Sequence, residues 1–425
     1  MLRKELVLLA AVSFGFSEQP YPPTEALRLV ETALNQNPAL ASLRLESHAV
    51  HTLGLRHRTL ESPELAVDFF QGPVSAFPNP LKRQEEIDYS VAQRIPFPGK
   101  LGSMAAAEHW RGAAAGKQAQ SAGLDLRRDV LTAYADLYLA EWRLRLMKES
   151  RIEMGRLIET LRGGYSAGRG RQSDWLRAES EAAHLDAEIL EAGAMRREAR
   201  AALAAGLGLE DGGSSNLQLK MDSLNPPAFR PLQDSVKTVL DRSPGLEAMQ
   251  FEISMADAEI KAAQKEALPD FMVRGTYKDM QNGSRDFWSL MVGIQAPITP
   301  WSWKGIGLGT SRARILREQS TRNYVSARQR LASELEKAVG DLESASGRVK
   351  LSQEKRIPIA AQMVQSVQSE YRQGSADFNE LILSLREARM AREEYHRAVS
   401  DHLKAWANLD WVTGGNLSAM TKEEK

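Results

Sequence analysis

The chain has 425 residues, with 55 lysines and arginines against 55 aspartates and glutamates, and it contains no cysteine. A net charge of zero gives no reason to expect nucleic acid or another polyanion as a partner. The lack of cysteine excludes disulfides, thiolate metal sites and lipidation at a cysteine, and it fits a chain that crosses an oxidising compartment.

The N-terminus has the pattern of a secretory signal peptide. Basic residues at positions 3 and 4 precede an apolar run from Leu6 to Phe16, and small and polar residues follow it. We predict cleavage near Ser17, so that residues 1–17 form the signal peptide. The alternative is a buried first helix, which is disfavoured because several prolines follow the apolar run directly. No other stretch approaches the ~20 apolar residues of a membrane-spanning helix.

The mature chain begins with two predicted amphipathic helices, from Thr24 to about Leu60, and the hydrophobic period then changes to that of strands. Alternating residues at about 63–72 and 86–97 flank a loop rich in glycine and proline, which predicts a β-hairpin at about 63–97. A second hairpin is predicted at about 268–299, with its turn at Asn282-Gly283. Strands of ~10 residues suit a tilted transmembrane β-strand. The alternative is a pair of ordinary hairpins that cap a soluble helical domain.

A long helix is predicted after each hairpin, the first beginning near Leu101. Its apolar residues recur with alternating spacings of four and three, which is the seam of a coiled coil. Both long helices end in a Tyr-x-x-Gly turn, where glycine supplies the left-handed backbone that closes a helical hairpin. Alanine-rich return helices follow. The two rows of the first seam are Leu126, Ala133, Ala140, Met147, Met154 and Leu161, and Val130, Leu137, Leu144 and Ile158.

The second half of the chain repeats the first at a nearly constant offset, which predicts two structural repeats. We assign residues 18–209 to the first repeat, 210–231 to a linker, 232–415 to the second repeat and 416–425 to a disordered tail. The tips of the helical hairpins then lie near 165–168 and 371–374. The matching pairs include Pro38 and Pro244, Pro63 and Pro269, Tyr165 and Tyr371, Gly168 and Gly374, Leu203 and Leu409, and Gly208 and Gly414.

The sequence offers little for catalysis or for a cofactor. It has no glycine-rich phosphate loop, no Gly-x-Ser-x-Gly elbow and no His-Glu-x-x-His motif. His48 and His51 share a helix face and would suit a metal, but a pair of histidines without a third ligand is more often a solvated face. We therefore predict no enzyme activity, no catalytic residues, no resident metal and no cofactor.

Together these features resemble the TolC-type outer membrane efflux proteins over nearly the whole mature chain. The resemblance is carried by the stretch Val91 to Lys100, which reads Val-Ala-Gln-Arg-Ile-Pro-Phe-Pro-Gly-Lys. It is also carried by Tyr165 to Gly168 with Asp174 downstream, and by Tyr371 to Gly374 with Phe378, Glu380, Leu381 and Ala388. The stretch before Lys100 is most similar to the branch that serves heavy-metal exporters.

The resemblance implies an α+β membrane protein that forms a homotrimer. Four strands from each protomer would build a 12-stranded transmembrane β-barrel in outer membrane lipid, and the helices would continue it as a long coiled-coil barrel in the periplasm. The implied function is the passive exit duct of a tripartite efflux system in a Gram-negative-type bacterium. A periplasmic adaptor and an inner membrane pump would be its partners. The alternatives are the outer membrane component of type I protein secretion, and a soluble periplasmic coiled-coil scaffold.

The resemblance also implies particular site residues. Tyr165, Gly168, Tyr371 and Gly374 would form the hairpin tips at which the adaptor docks. In the family's best-studied members two carboxylates ring the closed aperture, and Glu380 matches the first of these positions while Leu383 stands at the second. Glu380 is therefore the candidate aperture residue, and the alternative is that it is a solvated residue of the hairpin.

Overall fold

The fold is described from a computed structural model of the chain. The predicted signal peptide at residues 1–17 lies outside the described residues, as do most of the predicted linker and all of the tail except Leu417. Asn282 of the predicted turn also lies outside them. The structure describes residues 21–70, 74–76, 79, 85–168, 170–209, 219, 221, 223–227, 236–280, 283, 285–415 and 417.

Helices account for most of the described residues, and two hairpins of strands lie between them. In the described part of the chain, no helix combines the length and the apolar character that crossing a bilayer requires. The helices are α1 (Thr24–Gln36), α2 (Pro38–Arg56), α3 (Lys100–Ser166), α4 (Gln172–Gly206), α5 (Val236–Asp241), α6 (Pro244–Lys265), α7 (Pro300–Leu351), α8 (Ile357–Gln373) and α9 (Phe378–Val412). The strands are β1 (Glu64–Phe70), β2 (Glu86–Ile95), β3 (Asp270–Met280) and β4 (Phe287–Gln295).

The chain divides into two compact units, each assembled from separate stretches of sequence. The first unit comprises Met1–Asn37, Leu126–Pro231 and Ala338–Leu409. The second comprises Pro38–Asp125, Leu232–Lys337 and Asp410–Lys425.

The first unit is a bundle of helices whose core follows the predicted seam. Val130, Leu137, Leu144 and Ile158, which form the second predicted row, are all at most 8% exposed. This burial confirms the seam over that part of α3. The first row is also buried at Ala140, Met147 and Met154. Alanines at the facing positions of α4, among them Ala178 and Ala182, let the helices approach closely around these larger side chains.

The second long helix is interrupted, and this differs from the prediction that it runs unbroken to its tip. A π-helical turn at Ser352–Arg356 separates α7 from α8. Proline at position 358 explains the interruption, since it lacks an N–H donor and its ring crowds the carbonyl four residues earlier. The helix absorbs this defect as a wider turn and then continues to Gln373.

The second unit contains one antiparallel sheet with the strand order β1-β2-β3-β4. Each hairpin pairs its own two strands, and β2 of the first hairpin pairs with β3 of the second, for example Tyr89 with Tyr277. The pairing makes one sheet from two hairpins that are far apart in sequence. The turn of the second hairpin includes Gly283, whose φ of 84° is in the left-handed region that favours glycine.

Candidate functional site

The candidate site lies in the first unit, where the two helical hairpins end close to one another. The first hairpin is α3 with α4, and the second is α8 with α9. Apolar side chains from both hairpins form one buried cluster beneath the turns. Its buried members are Met147, Met154, Ile158, Ala178, Ala182, Leu185, Phe378 and Leu381.

The backbone of the two turns explains the Tyr-x-x-Gly motif. The N–H of Gly168 donates to the carbonyl of Tyr165 at 2.9 Å, and that of Gly374 donates to the carbonyl of Tyr371 at 3.1 Å. Both glycines have positive φ, 71° and 78°. At the second tip the N–H of Ser375 also donates to the carbonyl of Glu370 at 3.0 Å, which completes a Schellman motif. The tyrosine of the motif therefore supplies the carbonyl that is capped, and the glycine supplies the N–H that caps it.

The two tyrosines of the motif also close the hairpins with their rings. Tyr165 stacks on Trp175 of α4 with 6.3 Å between ring centroids. Tyr371 packs against Phe378, the first residue of α9, with 5.9 Å between centroids. Each tip thus joins its two helices through an aromatic pair, and such pairs contribute about 1 kcal/mol beyond their buried area.

A polar ladder connects the two hairpins along α4. The hydroxyl of Tyr371 donates to Oδ2 of Asp174 at 3.3 Å, so the second predicted tip contacts the start of α4 in the first hairpin. Burial, and then the charge of Asp174, raises the pKa of Tyr371. Next along the helix, Arg177 donates to Oδ1 of Asn379 at 2.6 Å.

The strongest rung of this ladder is an ion pair between α4 and α9. Arg386 donates from Nε to Oε1 of Glu181 at 2.9 Å and from its Nη2 to the second carboxylate oxygen. The Glu181 side chain is only 6% exposed, whereas that of Arg386 is 42% exposed. The hydrogen bonds from Arg386 hold the pKa of Glu181 below its usual value although burial opposes them. A further arginine, Arg389, contacts Glu188 one step along the ladder.

Glu380 lies in the first turn of α9 and is exposed. Its backbone N–H donates to Oδ1 of Asp377 at 2.9 Å, and its own Oε2 accepts from the N–H of Asp377 at 3.4 Å. This reciprocal pair is a capping box, which satisfies two N–H groups at the start of the helix. The Asp-x-x-Glu spacing is the sequence signal by which this local role could have been found.

An open groove of about 850 Å³ runs between α8 and α9 beside Glu380. Leu383, at the position where the family has its second carboxylate, also lines the groove and is 61% exposed. Apolar side chains such as Met363 line it, together with Arg356 of the π-helical turn. The groove is therefore lined by both apolar and charged side chains.

Sequence reasoning missed one constrained position in the first tip. A Cβ placed on Gly170 would lie 3.2 Å from the backbone nitrogen of Tyr165, whereas Gly168 and Gly374 have no heavy atom within 4 Å of such a Cβ. Glycine is thus favoured at 168 and 374 because φ is positive there. At 170 it is favoured because the backbone of Tyr165 leaves little room for a side chain. The second glycine of the Gly-x-Gly sequence was the available signal.

In the described part of the chain, the histidines belong to no group of three or more candidate metal ligands. His48 and His51 are both exposed, and among the described residues no three histidine, aspartate or glutamate side chains are arranged to hold a metal ion. His396 is buried, accepts or donates at Nδ1 with the hydroxyl of Tyr138 at 2.8 Å, and stacks on Trp142. Burial lowers the pKa of His396 to about 3.

A polar hub in the second unit gives the stretch Val91 to Lys100 a structural role. Asp270 Oδ1 accepts from Lys100 Nζ at 2.7 Å and from the N–H of Phe97 at 3.1 Å, and its Oδ2 accepts from Arg94 at 3.1 Å. Lys100 also donates to the carbonyl of Leu268 at 2.7 Å. The hub ties the end of β2 and the start of α3 to the start of β3.

This combination of a four-stranded sheet and paired helical hairpins is the fold of bacterial outer membrane channels, and solved structures of such channels match it over most of their length. A membrane protein from Pseudomonas aeruginosa matches with a TM-score of 0.78 at 17% identity, covering 92% of this chain and 93% of the other. The outer membrane protein VceC from Vibrio cholerae matches at 0.76 and 17%, covering 92% and 96%. The open state of the MtrE outer membrane channel of Neisseria gonorrhoeae matches at 0.73 and 19%, covering 92% and 89%.

The chain belongs to the outer membrane efflux protein family, whose model matches residues 29–209 and 236–415. No curated protein sequence matches it. The protein is therefore a TolC-type efflux channel protein of the outer membrane, extending into the periplasm. The family consists of channels rather than enzymes. A soluble periplasmic scaffold, the alternative left open by the sequence, does not fit this family.

Proposed function

We propose that the protein works as a homotrimeric exit duct, in which three copies of the sheet close a 12-stranded barrel. The observation that carries this proposal is the state of the sheet edges. Among the described strands, β1 pairs only with β2 and β4 pairs only with β3. In lipid, unpaired backbone groups cost several kcal/mol each, so an open sheet must close with further copies. Four strands per copy give the even number that bacterial barrels require, and three copies are proposed because channels of this family work as trimers.

The two faces of the sheet support its position in a bilayer. Side chains at alternate positions of β4 form an apolar row, in which Trp288 is 79%, Val292 67% and Ile294 67% exposed. Burying such a row in lipid is favourable by about 25 cal/mol for each Å² of apolar surface. The same sheet carries charged side chains on its other face, which would line a water-filled lumen.

The function that follows is passive conduction from a periplasmic adaptor and an inner membrane pump to the exterior. The hairpin tips at 165–168 and 371–374 would be the adaptor-docking surface, and their exposed turns leave the backbone accessible. The two-repeat organisation, with repeats at 18–209 and 232–415, would place one tip in each repeat. We propose heavy-metal cations as the first cargo to test, because the stretch before Lys100 resembles the branch that serves metal exporters.

Glu380 is our candidate aperture residue. In a trimer, three copies around one axis would repel one another unless water or cations relieved the repulsion. The capping box favours the alternative that Glu380 serves its own helix, since one of its oxygens already accepts from Asp377. Glu380→Gln keeps a capping acceptor and removes the charge. It should therefore lower block of the channel by multivalent cations if the ring exists, whereas unchanged block would leave Glu380 as a capping residue alone.

The proposed function is tested by reconstituting the purified full-length protein in planar bilayers. The proposal expects discrete conductance steps, together with a slowly migrating trimer band on gels that boiling converts to the faster band of the monomer. Heat-modifiable protein that gives no conductance under any applied voltage would contradict the exit duct. Loss of the heat-modifiable form itself would contradict the barrel.

A further inference from the structure

The register of the sheet separates two faces with different chemistry. Residues of β2 at even positions share a face with their partners at even positions of β3, such as Asp88 with Lys278. The same face continues onto β1, where Asp68 is the registered partner of Asp88. The opposite face carries most of the exposed apolar side chains, including Leu65, Val67 and Leu290, whereas the exposed Phe70 and Phe287 lie on the polar face.

Near the end of the sheet where β1 ends and β2 begins, the polar face carries three carboxylates and one ammonium group. Lys278 Nζ lies 2.9 Å from Oδ2 of Asp88 and also contacts Glu86. Asp68 adds a third carboxylate directly across the strand pair from Asp88. We call Asp68, Glu86, Asp88 and Lys278 the acidic band, since its carboxylates outnumber its cation.

Two observations indicate that the band is not neutralised within the protomer. Asp88 is 6% exposed, and within the described residues its Oδ1 has no hydrogen-bond partner. Two like charges in registered positions on one sheet face also destabilise a strand pair. Lys278 is shared between Glu86 and Asp88, so it does not supply the missing partner for both carboxylates of the registered pair. A mobile cation would relieve both costs.

We propose that the acidic band sets the charge selectivity of the barrel and favours small inorganic and organic cations. The inference rests on the proposed function, because it requires the polar face to line a lumen formed by three copies. Charges of one sign repeated around a narrow passage with low-dielectric walls focus the field and raise the local cation concentration. The band is not a chelating site, since no three ligands among the described residues are arranged for a metal ion.

The band would also place selectivity in the sheet rather than at the helical tips. At the tips each protomer offers Glu380 in a capping box and Leu383 where the family has a second carboxylate. In the band each protomer offers three carboxylates against one ammonium. The carboxylates of the acidic band therefore exceed its one ammonium group in every protomer.

The test is the reversal potential of the reconstituted full-length channel in a potassium chloride gradient around ~0.1 M, where the screening length is ~10 Å. Asp68→Asn removes a band charge without touching the ion pairs of Lys278, and Asp68→Lys reverses it. Asp279→Asn is the matched control, because Asp279 pairs in register with Ile87 on the opposite face. Lys278→Gln removes the positive charge of the band and should change the selectivity in the opposite direction.

The proposal expects the cation-over-anion permeability ratio to fall about twofold or more in Asp68→Asn, and further in Asp68→Lys. The ratio should rise in Lys278→Gln and stay unchanged in the Asp279→Asn control. All these differences should shrink near ~1 M salt, where the screening length is ~3 Å. Conducting channels with the same ratio in both Asp68 variants would overturn the band and leave the duct standing. A wild-type protein without conductance would overturn the duct and the band together.

Discussion

Replacing Arg386 should destabilise the protein more than replacing Glu181, although the two residues form one ion pair. Glu181 is 6% exposed, so Arg386→Met leaves a buried carboxylate uncompensated, which costs about 3 kcal/mol. Glu181→Gln leaves Arg386, 42% exposed, free to turn toward water, and Gln still accepts one hydrogen bond. That change should cost about 1.5 kcal/mol.

Hydrogen exchange of the purified protein, read on peptides from the start of α9, measures this difference as local opening. Each 1.4 kcal/mol is tenfold, so Arg386→Met should lower protection roughly a hundredfold and Glu181→Gln roughly tenfold. Arg397→Met is the control, since Arg397 is 58% exposed and, among the described residues, pairs only with Glu393 on its own helix at 3.4 Å, while Glu393 keeps Arg143 as a second partner. Such pairs contribute about 0.5 kcal/mol or less.

The double variant Glu181→Leu with Arg386→Met tests the reasoning itself. Replacing both partners of a buried pair by apolar groups is often nearly neutral, so the double variant should regain most of the protection lost in Arg386→Met. Two results would refute this reasoning. One is that peptides of Arg386→Met exchange no faster than those of Arg397→Met, and the other is that the double variant loses the summed protection of its two single changes. Because the folded pKa of Glu181 lies below 4.5, its usual value, the pair should stabilise fully above pH 4.5 and progressively less below it.

Three further predictions follow from the structure. Gly168→Val and Gly374→Val should each lower the free energy of unfolding by about 1 kcal/mol or more, because φ is positive at both positions. Both changes should weaken adaptor binding in pull-downs while the heat-modifiable barrel still forms. Normal export by the double variant would exclude the tips as the docking surface. Asp270→Asn should cost about 2 kcal/mol by weakening the hub, so that the heat-modifiable form is lost at a lower temperature; a melting temperature equal to that of Asp279→Asn would contradict this. The pKa of His396 is lowered from 6.5 to about 3, so the unfolded state takes up a proton first and stability should fall as pH drops below 6.5, by about 2 kcal/mol at pH 5. Hydrogen exchange around that histidine should show this loss, and a His396→Gln variant with the same pH dependence would contradict it.

Features that depend on local periodicity were predictable from the sequence. The seam of α3 was readable because buried positions such as Leu137 and Leu144 recur at helical spacing. The strands were readable because their side chains alternate, and observed β1 and β2 fall within the predicted ranges. The tip glycines were readable because a left-handed turn tolerates few other residues.

Features that depend on partners distant in sequence were not predictable in the same way. Glu181 and Arg386 are 205 positions apart, and Lys100 and Asp270 are 170 apart, so no local pattern joins them. The position of Asp88 between Lys278 on one neighbouring strand and Asp68 on the other likewise appears only once β2 is paired on both sides. The π-helical turn is a different case, because Pro358 is a local signal in the sequence that indicates an interruption of the long helix.

The central claim is that one chain supplies a third of a closed barrel. The most direct test is the mass of the full-length protein extracted from outer membranes in mild detergent, measured by native mass spectrometry. The account predicts three copies of the mature chain, which dissociate only when the heat-modifiable form is lost. A stable monomer in detergent, with its sheet folded and both edges unpaired, would contradict it.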